Sequence, residues 1–220
     1  MKILIIGTPR SGTTSLIRGI GNQNYFSKGE PYNYRIGPNM YNNTYPLKEV
    51  SEYEKIVVKT LAQQVPKEKE GTDPIDFGVE FCSYFDKIIL LDRLIWKSHW
   101  ESFINLHRLV EKKQTFPINK EKYQQMMFGP WIPNSLTNKD FEWAYQKNLD
   151  KVLKEDKKII AGISEKLNIP ITYYEKLYSE DRMEAFEIIN NWNLEDIDPF
   201  DLLDLLDPLN KHRKESKPLI

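Results

Sequence analysis

The sequence predicts an α/β protein in which helices cover both faces of a short parallel sheet, a three-layer α/β/α arrangement. Three observations carry the prediction. Short apolar, β-branched runs recur at 2–6 (KILII), 55–60 (KIVVKT), 87–91 (KIILL) and 169–173 (IPITY), with the composition and length of buried strands. Helical patterns separate them, the alternation expected of parallel strands joined by crossover helices. The first run also ends in a turn rich in Gly, Pro, Ser and Thr that opens a helix, GTPRSGTTSL at 7–16. At 220 residues the chain is most simply one domain, 1–220, with enough length for a sizeable core.

The loop at 7–16 has the composition of an anion cradle. The consecutive N–H groups of Ser11, Gly12, Thr13 and Thr14 converge at the positive end of a helix dipole, with hydroxyls alongside that include Ser15. Gly7 and Gly12 match the Walker A frame G-x-x-x-x-G-K-[ST], but Thr13 stands where that frame has its lysine. The fixed cation is instead Arg10, whose planar fork suits the non-bridging oxygens of a phosphate or sulfate. A turn that merely caps a helix is the plainer alternative.

PRSGTTSL, at 9–16, resembles the 5′-phosphosulfate-binding loop of sulfotransferases that use 3′-phosphoadenosine-5′-phosphosulfate (PAPS), where P-[KR]-[ST]-G-T-T follows the first strand. The resemblance implies a fold like that of the P-loop-containing nucleotide hydrolases, PAPS as co-substrate with no metal, and transfer of a sulfuryl group to a hydroxyl or amine. It implies that the loop from Ser11 to Ser15 holds the 5′-phosphate, and that Arg10 stabilises charge on the bridging oxygen and the sulfate.

Along the chain, a first helix is expected over 13–18, ended by Gly19 and Gly21. The polar, aromatic segment 22–46 is too irregular for one element, with a second strand at 25–27 and Glu30 just beyond its carboxyl end. That end is the ligand side of an open α/β sheet, so Glu30 shares a rim with Arg10. A carboxylate there can take the proton from an acceptor hydroxyl; alternatively Glu30 is a solvated turn residue or pairs with Arg35. GEPYNYRI resembles the segment that follows the phosphosulfate loop in tyrosylprotein and carbohydrate sulfotransferases, where a Glu is the base or opens an EP motif. Lys59, near the end of the 55–60 strand, either holds substrate or is a solvated strand end. A charged surface loop is expected at 63–74, then a helix that Asp73 and Pro74 open and that runs to about Tyr84. It contains Cys82, a small hydrophobe, and a lone cysteine excludes an internal disulfide framework.

After 87–91, Leu94, Ile95, Trp100, Phe103, Ile104 and Leu106 give a helical stripe expected to pack on the sheet. In sulfotransferases the corresponding strand ends in an Arg that binds the 3′-phosphate with a Ser on the following helix. The resemblance thus implies Arg93 and Ser102, with Ser98 as second choice, although Leu94-Ile95-Trp96 replaces the usual R-D-P-R core. Asp92 ends an apolar strand in the Walker B manner. It is the Mg²⁺ ligand of a rival reading, a P-loop phosphotransferase. The segment 115–137, with Tyr123, Met126, Met127, Phe128, Trp131 and Pro133, is either a wall of an acceptor pocket or core. A helical stretch over 138–167 should break near Asp156, its run KVLKEDKK forming a solvated face. YYEKL resembles the late Y-E-D-L segment of the family, with Glu175 structural and Ser179 the N-cap of the next helix. The basic cluster Lys211, His212, Arg213 and Lys214 resembles a tail that returns to the nucleotide, or is a disordered end. His99, His107 and His212 have no metal-ligand spacing, and His99 is the rival to Glu30 as base.

A net charge of −1, from 31 basic and 32 acidic residues, gives no nucleic-acid footprint. No apolar run approaches the roughly 18 residues of a membrane span. A first strand at residue 2 leaves no room for a signal peptide, so a cytoplasmic protein is expected. The expected partner is a small molecule, a sugar or another hydroxyl acceptor. A catalytically idle nucleotide- or glycan-binding protein is the remaining reading.

Overall fold

The computed structural model describes residues 1–30, 48–64, 73–115 (side chains to 111), 136–179 and 181–206. Arg35, the aromatic segment with Tyr123 and Trp131, and the basic cluster at 211–214 lie outside the described residues. The strands are β1 Lys2–Gly7, β2 Phe26–Gly29, β3 Ile56–Leu61, β4 Lys87–Asp92 and β5 Ile171–Tyr173. They form one all-parallel sheet in the order β2-β3-β1-β4-β5. The helices are α1 Thr13–Gly21, α2 Lys48–Glu52, α3 Pro74–Cys82, α4 Trp96–Thr115, α5 Asn138–Gln146, α6 Leu149–Leu167, α7 Tyr174–Leu177, α8 Arg182–Asn191 and α9 Pro199–Leu206. The chain divides into two compact units. One holds Met1–Leu94 and the described residues from Glu155 onward, the other Ile95–Lys154.

The first unit carries the sheet. Successive side chains of a strand point to opposite faces, and both faces are apolar. Ile3, Ile5, Val57, Ile89 and Leu91 pack with Leu16 and Ile20 of α1, Ala185 and Ile189 of α8, and Leu202, Leu203 and Leu206 of α9. Leu4, Ile6, Val58 and Leu90 pack with Phe77 and Phe81 of α3 and with Ile159, Ile160 and Ile163 of α6. Helices therefore cover both faces of the sheet, consistent with a three-layer α/β/α fold. Each fully buried Ile or Leu contributes about 1.5–3 kcal/mol, more than the net value of a backbone hydrogen bond at about 1 kcal/mol. The unbroken apolar run of β1 thus fixes it at the centre of the sheet.

In the second unit Trp100, Phe103 and Ile104 of α4 pack with Ala144, Leu149 and Leu153. Arg108 lies over the Trp143 ring at 4.1 Å and reaches Asp140 at 2.9 Å. The Thr137 hydroxyl and N–H donate to Asp140 at the start of α5, which holds that carboxyl below its ordinary range.

Several local expectations are corrected. Helix α1 runs through Gly19 to Gly21, because Gly19 is a packing position: a Cβ there would lie 2.7 Å from Leu202 Cδ1. The break in 138–167 falls at Asn148, whose φ of 55° ends α5, whereas Asp156 is inside α6 and 1% exposed. The KVLKEDKK run is accordingly only partly solvated, with Leu153 and Asp156 buried. Asp181, not Ser179, caps α8, accepting from the N–H groups of Met183 and Glu184. The loop expected from 63 opens with a 3₁₀ turn, Ala62–Gln64, in which Gln64 is buried. Leu94 and Ile95 precede α4 and are 59% and 53% exposed, and the apolar stripe of α4 packs on α5 and the start of α6.

Cys82 is buried at the end of α3, and desolvation pushes its thiol up to about 12. Only the thiolate is nucleophilic. The native protein is therefore expected to resist iodoacetamide at pH 8 and to be alkylated at one site once unfolded in guanidinium, as intact-mass measurement would record. Fast alkylation of the folded protein would contradict the burial.

Candidate functional site

β1 has β3 on one side and β4 on the other, so the chain crosses over β1 between them. In open α/β sheets ligands bind outside the carboxyl ends of the strands at such a switch point. The loop Thr8–Gly12 stands there and is packed tightly onto the strand. A Cβ on Gly7 would lie 2.4 Å from Thr13 Cγ2 and 2.7 Å from Ser11 Oγ, so only glycine lets the loop fold back over β1. Thr8 N donates to Leu91 O at 3.1 Å, and Ser11 Oγ donates to Thr8 O at 2.7 Å. The hydroxyl-bearing residues divide accordingly: Thr8, Ser11 and Thr13 are buried, while Thr14 and Ser15 are partly exposed.

Gly12 is the residue before α1, with φ 86°, and its carbonyl accepts from the Tyr178 hydroxyl at 2.8 Å. A side chain at Gly12 would strike the Tyr178 ring, the nearest atom being 2.5 Å from a Cβ. Burial holds the Tyr178 hydroxyl above its ordinary pKa, so it stays a donor at all working pH values. Tyr174 stacks on Tyr178 with centroids 4.6 Å apart, and the Arg93 guanidinium lies 4.6 Å from the Tyr174 centroid. Glu175 accepts from Leu94 N at 2.8 Å and from Arg93 Nε at 3.4 Å. The YYEKL segment thus braces the loop and the end of β4, the structural role expected of Glu175.

Arg10 has φ 68°. Its guanidinium is held below its ordinary pKa first by burial and then by the like charge of Arg93, with Tyr174 opposing. The Arg93 guanidinium is thus a like charge close to Arg10, and two neighbouring guanidinium groups make a spot suited to an anion. The backbone supports the same location. Among the described residues, the non-glycines in the left-handed region are Asn24, Asn148, Asn168, Asn193, Asp196, Arg10 and Glu30. Asn and Asp adopt that conformation readily, whereas Arg and Glu do not. Backbone strain concentrates at functional sites, and the two strained residues without that excuse are the two predicted catalytic ones.

Glu30 follows β2, its N–H donating to Lys59 O at 2.8 Å. Lys59 sits opposite Ile5 on β1 and Gly29 on β2, on the sheet face that carries α1. Its ammonium donates to Thr14 Oγ1 at 2.9 Å and forms an ion pair with Glu30. The Lys59 side chain is 6% exposed and that of Glu30 23%, so Glu30 is partly exposed while its counter-ion is buried. Gln64 Nε2 donates to the second Glu30 oxygen at 3.4 Å, and Gln64 Oε1 accepts from Leu61 N at 3.3 Å. Lys59 is therefore no solvated strand end. Strand parity was the signal: it lies two residues after Val57, which packs on the α1 face. Gln64 carried no such signal.

Asp92 accepts from Thr8 Oγ1 at 2.8 Å and from Lys157 Nζ at 2.6 Å, and Lys157 also donates to Arg93 O at 2.7 Å. It ties β4 to the loop and to α6. Nothing in the strand 87–91 or in KVLKEDKK announced that Lys157 would be its partner. His99 and Ser102 lie on α4 in the second unit and are both buried, whereas Ser98 is partly exposed and donates to Ile95 O at 3.1 Å. The structure therefore brings together Arg10, Ser11, Gly12, Thr13, Thr14, Ser15, Glu30 and Arg93 in the first unit. Among the described residues no group of three or more His, Cys, Asp or Glu side chains is arranged to hold a metal, and no helix is long and apolar enough to cross a membrane.

No known family model matches the sequence, and no curated protein is significantly similar to it.

Proposed function

We propose that this chain is a sulfotransferase with a P-loop-like nucleotide-binding fold, moving a sulfuryl group from 3′-phosphoadenosine-5′-phosphosulfate to a hydroxyl acceptor. The observation that carries the reading is the Lys59 ammonium, which bonds both Thr14 of the loop and Glu30. A sulfate donor seated on the loop is thereby adjacent to the carboxylate of a partly exposed residue.

The loop N–H groups, with Thr13, Thr14 and Ser15, hold the 5′-phosphate at the start of α1. Arg10 lies inside the turn to neutralise charge on the sulfate and the bridging oxygen, and Arg93 adds a second cation for the 3′-phosphate. Glu30 takes the acceptor proton as the acceptor oxygen bonds to sulfur. The bond from sulfur to the bridging oxygen breaks, its electrons remain on the 5′-phosphate, and 3′,5′-adenosine bisphosphate leaves. Catalysis of such an in-line displacement is chiefly positioning and charge stabilisation. Glu30 is preferred to His99 as base because a base must touch the acceptor, and His99 is fully buried.

Isothermal titration tests the reading. Metal-independent binding of 3′,5′-adenosine bisphosphate is expected, followed by label transfer from radiolabelled donor to a member of a panel of sugars, phenols and alcohols. Tight Mg²⁺-dependent ATP binding with no affinity for the bisphosphate would replace it with a phosphotransferase. Bisphosphate binding without turnover on any acceptor would indicate an idle binding protein.

A further inference from the structure

Lys59 has two partners with different roles. Thr14 belongs to the loop proposed to hold the donor phosphate, and Glu30 is the proposed base. A lysine ammonium has three donors on one compact charge, and this one is almost wholly buried between β1 and β2. A buried ammonium cannot turn to solvent when a new anion approaches, so its hydrogen bonds must be redistributed. Gln64 also donates to Glu30, and a neutral amide holds the carboxylate in place without competing for its charge.

Resting on the sulfotransferase reading, we propose that Lys59 is a positioning residue that couples occupancy of the loop to the state of Glu30. A phosphate or sulfate beside Thr14 draws the ammonium toward itself and loosens the Lys59–Glu30 pair. Gln64 keeps the freed carboxylate aimed at the acceptor position. Glu30 thus becomes an effective base only when the donor is in place, and the acceptor is deprotonated beside a sulfuryl group rather than before one arrives. The arrangement is reciprocal: if the donor anion weakens Glu30's hold on Lys59, Glu30 must weaken the protein's hold on the anion by the same factor.

That reciprocity gives a binding test that needs no turnover. The probe is 3′,5′-adenosine bisphosphate, titrated into the wild type, Glu30→Gln, Lys59→Met and the double variant, each checked for folding by circular dichroism. Glu30→Gln is expected to tighten binding by about fivefold or more, the low end of ordinary coupling between sites. Lys59→Met is expected to weaken it. In the Lys59→Met background, Glu30→Gln should change affinity less than twofold, because the group that transmits the competition is gone. Lys59→Gln serves in the same cycle if methionine is not tolerated. A general loss of negative charge near the loop would instead tighten binding equally with and without Lys59, and that result overturns the coupling. Unchanged affinity in Glu30→Gln overturns it as well, while leaving the donor site standing. If the wild type does not bind the bisphosphate, the donor reading fails and the coupling fails with it.

Discussion

Replacing Glu30 by Gln is expected to lower turnover by roughly 10²–10⁴-fold, the range lost when a general base is removed. The amide is nearly isosteric, its one carbonyl oxygen can still accept from Lys59, and only the long Gln64 bond is given up, so the fold should survive. It cannot accept a proton from the acceptor. Glu30 stands at the rim, partly exposed, and is proposed to touch the acceptor rather than the nucleotide. The loss should therefore fall on kcat with no weakening of bisphosphate binding. Steady-state kinetics on the acceptor identified by the panel would measure it, and near wild-type turnover would remove Glu30 from the mechanism.

Arg10→Ala should cut turnover tenfold or more, in line with removing one preorganised group that stabilises transition-state charge. The folded state should lose little. Arg10 is held below its ordinary pKa first by burial and then by the like charge of Arg93, so deleting it removes a costly buried charge as well as contacts. A thermal midpoint close to wild type with a collapsed rate is the expected pair of results. A rate that falls only in proportion to unfolded protein would make Arg10 a scaffold residue.

The parts of the fold legible in the sequence are those governed by local pattern. After Lys2 the run ILII has no polar position, so it had to be a strand buried on both faces, and its β-branched relatives at 55–60 and 87–91 became its two neighbours. The loop was readable because its glycines are dictated locally, by a tight return over the strand and by the left-handed conformation at Gly12. Features that depend on distant partners were not. Lys157 reaches Asp92 across 65 positions, and Lys59 reaches Glu30 and Thr14 across 29 and 45. No window of sequence contains either arrangement. Helix ends were misjudged for a similar reason: Gly19 looks like a stop signal, but its lack of a side chain serves Leu202, far along the chain. Strand parity could have placed Lys59 on the α1 face, but not the carboxylate that meets it there.

The contact between Tyr178 and Gly12 also bears on the chain as it leaves the ribosome. β1 is made first yet sits at the centre of the sheet, and its partners end at Leu61 and Asp92. Until they arrive the strand has both edges open, the condition in which nascent β-structure is prone to mispair. The loop then waits longer still, for the tyrosine that rests on it is separated from Gly12 by 166 residues. The anion binding proposed for this loop is consequently expected to be a late event of synthesis, one that reports on the completion of the first unit rather than on the segment that carries the motif.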